Sequence, residues 1–122
     1  MGTFYQTIVV LAPDSASQRE VEALVDTGST YLWLPGSLLL ELGYKPVTRR
    51  QLTVATGETI ERDLAPVLLE MGGETWPIPC VFSDESSTPL LGAIALEAFG
   101  LGVDPVNRRL VPVPSLALSL AG

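Results

Sequence analysis

Residues 24–30 read Leu24-Val25-Asp26-Thr27-Gly28-Ser29-Thr30. Two apolar residues deliver a carboxylate directly into a small polar turn. Just upstream, positions 20–26 alternate, with Val21, Ala23 and Val25 on one side and Glu22 and Leu24 on the other. That period of two is the pattern of a strand. Asp26 therefore closes a strand and opens a turn. Taken alone, the stretch is an ordinary turn with an acidic first residue. Whether Asp26 does more depends on what else the chain places beside it.

Working outward, TFYQTIVVL (3–11) is rich in β-branched and aromatic residues and reads as a strand, hairpin partner of 20–26. YLWL (31–34) is a short apolar strand stopped by Pro35-Gly36. SLLLEL (37–42) reads as a two-turn helix with Ser37 as N-cap and Gly43 just past its end. QLTVA (51–55) and TIERD (59–63) flank a hairpin tip, Thr56-Gly57-Glu58. APVLLEM (65–71) and TWPIPCVF (75–82) flank a second, Gly72-Gly73, and Pro77 and Pro79 place part of the latter strand at an edge. Leu90-Leu91-Gly92 leads into a short helix, AIALEAF (93–99), closed by Gly100. Residues 103–108 read as a turn and 109–113 as a last strand. The pattern predicts one all-β domain over 1–122, a barrel or sandwich with two small helices. It also contains an echo: 24–28 and 90–92 are each an apolar strand and a glycine turn, followed by a helix ended by glycine.

Composition narrows the chemistry. The chain has 122 residues, 47% hydrophobic, and a net charge of -7 from 14 acidic and 7 basic residues. That balance argues against a nucleic-acid partner, which needs a basic surface. There is no histidine, so Ser-His-Asp and Cys-His mechanisms are excluded and most zinc sites with them. The single Cys80 cannot form an intrachain disulfide and is expected to be a small buried hydrophobe. The N-terminal stretch lacks the basic start of a signal peptide, and no apolar run approaches a membrane span. The expectation is a cytoplasmic protein with no membrane contact, no metal and no cofactor. Trp33 and Trp76 are expected in the core or an interface, and Arg108 and Arg109 in solvent.

Three features now stand in order: LVDTGS (24–29), a glycine-tipped hairpin, and LLGAIALEAF (90–99). Together they resemble the retropepsin-like aspartic proteases, single-lobe relatives of pepsin that act as homodimers. The resemblance spans roughly 21–113. It implies a small closed β-barrel, a flap at residues 54–60, and a water activated between two carboxylates. Carboxylates in contact cannot both ionise, so one acts as general base and its protonated partner as general acid. This chain has a single Asp-Thr-Gly. The pair then requires a homodimer, with one Asp26 from each subunit.

The resemblance assigns Asp26, Thr27 and Gly28 to catalysis, with Thr27 bonding across the dimer axis. It assigns Ser29, Thr56, Gly57, Glu58, Leu91 and Gly92 to binding an extended, largely apolar peptide by strand addition, with Gly92 packed beneath the active loop. Ser29 is expected to donate a hydrogen bond to Asp26 and give an acid-leaning activity profile. The apolar tail at 115–122 is expected in the dimer interface. Thr30 and Ala93 depart from the retroviral pattern, which carries a second aspartate and often an arginine there. The alternative is a non-catalytic dimeric peptide-binding module on the same fold, which would not need the Asp26 carboxylate.

Overall fold

A computed structural model describes residues 3–114. Strand β1 (Tyr5–Leu11) runs antiparallel to β2 (Gln18–Val25), with Tyr5 opposite Leu24 and Leu11 opposite Gln18. Their alternation buries Ile8 and Val10 from β1, and Ala23 and Val25 from β2. Next come β3 (Leu32–Pro35) and α1 (Gly36–Leu42). The helix packs Leu39 and Leu42 into the core and is closed by Gly43, whose N–H donates to the Leu39 and Leu40 carbonyls. Its N-cap is Pro35, without a side-chain cap. Ser37 is not the expected cap; its backbone N–H and hydroxyl both donate to Glu85.

The long element is β5 (Thr59–Met71). The sequence reading split it at Leu64, but Leu64 and Ala65 are buried and the strand runs through them without a break. Its first half pairs with β4 (Thr48–Thr53), from Leu64 opposite Thr48 to Thr59 opposite Thr53. Its second half pairs with β6 (Glu74–Ser83) around the Gly72-Gly73 turn. β3 lies parallel to β6 only over Cys80–Ser83, so Pro77 and Pro79 sit where β6 has no partner on that side. This is the edge position that proline tolerates.

β7 (Leu90–Leu91) is two residues long, but it is wedged between β2 and β3. It runs parallel to β2, with Leu24 opposite Leu90 and Val25 opposite Leu91. Helix α2 (Ala93–Ala98) follows, then the hairpin of β8 (Leu101–Asp104) and β9 (Arg109–Pro112). The sequence reading placed 103–104 in a turn. Asp104 instead ends β8, and its carboxylate accepts hydrogen bonds from the Val106 and Asn107 N–H groups that shape the turn.

The seven-stranded sheet has the order β1-β2-β7-β3-β6-β5-β4. It curls until β5 meets β1 again, through Val9 opposite Glu70 and Val10 opposite Leu69. The expected closed barrel is thus an all-β curled sheet whose return seam is two residue pairs long. The expectation for the tail lies outside the described residues. Among the described residues, no helix is long and apolar enough to cross a membrane.

Inside the curl, Ile8, Leu32, Leu34, Leu69, Ile78 and Leu91 are fully buried with Cys80. Each buried Leu or Ile of this kind contributes about 2 kcal/mol through removal from water. Burial holds the Cys80 thiol protonated well above its ordinary range. Because its pKa is raised on folding, its contribution is complete below the ordinary thiol value of 9.0 and is lost as pH rises above it. Urea unfolding should therefore show stability falling by up to about 1.4 kcal/mol per pH unit beyond that value. Cys80→Ala should be less stable at neutral pH but show a flatter alkaline slope.

Candidate active site

Asp26 stands at the C-terminal end of β2, where its backbone is already fixed on both sides. The Val25 N–H donates to the Phe4 carbonyl at 2.9 Å, and the Asp26 N–H donates to the Leu91 carbonyl at 3.0 Å. The turn then closes on itself. The Ser29 N–H donates to the Asp26 carbonyl at 3.1 Å, and the Gly28 N–H donates to Asp26 Oδ1 at 3.0 Å. A Cβ on Gly28 would stand 3.2 Å from that same oxygen, so glycine leaves the carboxylate its room. Asp26 is half-buried, while Thr27 and Gly28 are exposed at the loop apex.

The loop rests on Gly92. A Cβ there would come within 2.5 Å of the Tyr31 carbonyl oxygen and closer still to that of Ser29. Only glycine permits this approach. Directly after it, the Ala93 N–H donates to the Ser29 carbonyl at 2.8 Å and the Ile94 N–H to the Thr30 carbonyl at 3.1 Å. The first N–H groups of a helix lack partners within the helix. In α2 two of them are satisfied by the Asp-Thr-Gly loop. The two halves of the sequence echo therefore meet: β2 lies beside β7, and one glycine loop is stacked on the other.

This packing separates the expected binding residues into two groups. Leu91 is fully buried and Gly92 is enclosed by backbone, so both support the loop from beneath. Gly28 and Ser29 line an open groove of about 780 Å³ between the Asp26 loop and the β4–β5 hairpin. Thr56, Gly57 and Glu58 are exposed at the hairpin tip, beyond the groove lining. Gly57 adopts φ 88°, a conformation that favours glycine, and its N–H donates to the Val54 carbonyl.

Ser29 does not take the role expected of it. Its hydroxyl donates to the Tyr31 carbonyl at 3.2 Å rather than to Asp26. The hydroxyl braces the loop, and the stated ground for an acid-leaning activity profile is removed.

The sequence did not mark Tyr31, Arg50, Leu52, Ser87 and Thr88 as groove residues, and it gave Trp33 another place. Tyr31 and Trp33 line one wall, Arg50, Leu52 and Val54 another, and Ser87, Thr88 and Leu90 a third. Trp33 was expected in the core or an interface, but it is half-buried with a face on the groove. Every residue from Arg50 to Ala55 lines the groove, so alternation along the strand would not have picked out Arg50.

The aspartyl protease family model matches residues 14–94. The chain belongs to the aspartyl protease family. It is similar in fold to a retropepsin-like aspartic protease from Rickettsia conorii, at 21% identity and a TM-score of 0.56, covering 84% of this chain and 75% of that one. It is also similar in fold to a Legionella pneumophila protein of unknown function, at 14% identity and a TM-score of 0.52, covering 90% and 93%. No curated protein matches.

Gly92→Ala should destabilise the fold by about 3 kcal/mol or more, because the obstacles are backbone atoms. Urea denaturation checks this; a loss below about 1 kcal/mol would mean that the loop can retreat from α2 at little cost.

Proposed function

We propose that the protein is a homodimeric aspartic endopeptidase in which two Asp26 carboxylates, one per subunit, activate the attacking water. The observation that carries this reading is a half-buried carboxylate fixed by backbone alone, in a loop whose next residues, Gly28 and Ser29, line an open groove. Asp26 accepts the Gly28 N–H, and its own N–H is held by the Leu91 carbonyl. The Gly28 bond alone is that of an Asx-turn; a purely structural turn would not also need Gly92 packed beneath it and an open groove before it.

The chemistry follows from two such groups meeting across a two-fold axis. At short range one proton is shared between them. The ionised carboxylate takes a proton from water as the water attacks the peptide carbonyl carbon. The protonated partner donates to the carbonyl oxygen, giving a neutral diol, and return of a proton to the nitrogen releases the amine. No other component is needed. Thr27 is exposed at the loop apex, and its side chain forms no hydrogen bond within the described residues, which suits a contact across the axis. The substrate lies extended along the groove, and the hairpin at 54–60 closes over it, Gly57 allowing the tight tip.

The decisive measurement is cleavage of an unbiased peptide library by wild type and Asp26→Asn, with and without a statine-type inhibitor. Wild type should cleave, and the variant should lose more than about a thousandfold in kcat/KM. Sedimentation should give a dimer in both. Equal cleavage by both proteins refutes the assignment. A dimer that binds peptides without cleaving them would instead be a peptide-binding module.

A further inference from the structure

The groove wall carries an electrostatic feature that peptide hydrolysis does not require. The chain has twice as many acidic as basic residues, yet no aspartate or glutamate lines the groove. Its one charged lining residue is Arg50.

The surroundings of Arg50 differ from those of most arginines in this chain. Among the described residues, Arg19, Arg49, Arg62 and Arg109 each lie against a carboxylate. Arg50 does not. Its polar partner is neutral: Nη1 donates to the Tyr31 hydroxyl at 2.8 Å. Arg62 stands directly opposite Arg50 in the β4–β5 ladder, and side chains opposite each other share a face. Arg62 is turned away to Asp84, at 3.1 Å, so the nearest facing cation already has its anion. Arg49 points to the other face, where Glu61 and Asp63 receive it.

Tyr31 belongs to the loop that follows Asp26, so its hydrogen bond holds the guanidinium between the hairpin and that loop. A guanidinium has five N–H donors in a planar fork. With one donor used, the others match the two oxygens of a carboxylate.

Resting on the protease reading, we propose that Arg50 is a specificity-determining residue: the groove selects a substrate carrying an aspartate or glutamate side chain at the position that reaches Arg50. An otherwise apolar extended peptide then gains one charged anchor. The expected largely apolar specificity becomes apolar with a single required acid. A lysine or arginine at that substrate position would face a like charge and be rejected.

The test uses the full-length chain with Asp26→Asn, which binds without turnover. Fluorescent peptides carry a glutamate or a glutamine at each successive position, and binding is read by anisotropy. At one position glutamate should bind about tenfold more tightly than glutamine, the discrimination expected of a charge-assisted hydrogen bond. Arg50→Gln should abolish that preference, and Arg50→Glu should turn it towards lysine. Arg49→Gln, on the opposite face, should leave it intact. Circular dichroism verifies that each variant is folded. A merely bracing role for Arg50 would not reverse the charge preference.

The proposal is overturned if no position prefers glutamate, if the preference survives Arg50→Gln, or if no peptide binds. Parallel cleavage by the protein with Asp26 intact separates the two readings. Selective binding without cleavage sinks the protease assignment and leaves Arg50 in its role. Cleavage indifferent to acidic residues does the reverse.

Discussion

The main-chain contact between Gly92 and the loop at 29–31 is the constraint on which the rest of the site depends. It brings two loops together more closely than any side chain would allow. It also satisfies two N–H groups of α2 with the Ser29 and Thr30 carbonyls. With that contact in place, the parallel pairing of β2 and β7 has only one register, and Asp26 has only one place to stand. The support is made by backbone atoms. It therefore makes few demands on the side chains at 30 and 93.

The second determinant is the continuity of β5. Its buried half, anchored by Val67 and Leu69, is locked between β6 and the short seam with β1. Its exposed half carries the hairpin wall of the groove. Because no break separates the halves, the position of the hairpin is inherited from the core. Tyr44 reinforces the same region: its hydroxyl donates to the Leu11 carbonyl at 2.6 Å and accepts the Leu68 N–H at 2.9 Å. Burial of the ring raises its pKa, opposed by that backbone donor.

Much of this was legible in the sequence, and the exceptions share a cause. The Asp26 loop, both glycine-turn hairpins and the two helices follow from local patterns, period-two alternation and turn residues. Features set by distant partners did not. Ser37 looked like a cap because nothing local reveals Glu85 beside it. The strand β5 looked like two because the polar run at 61–63 interrupts the apolar pattern, whereas the pairing with β4 and β6 carries it through. At the site, the sequence located the carboxylate and its glycines. It placed Gly92 beneath the loop but did not separate Leu91 from residues on the groove, because burial is a property of the assembled sheet. Arg50 and Trp33 went unnoticed as groove residues for the same reason.

The seam and the β2–β7 pairing also bear on the order of folding. Hairpins β1–β2, β4–β5, β5–β6 and β8–β9 join neighbours in the chain. The β2–β7 ladder joins positions 24 and 90, and it is only two residue pairs long. Contacts between distant segments carry the larger loop-closure cost and form slowly. Until that ladder forms, Asp26 sits just past the open end of the β1–β2 hairpin, without the Leu91 carbonyl that holds its N–H. Its carboxylate acquires a fixed bearing only when the two ends of the domain have met.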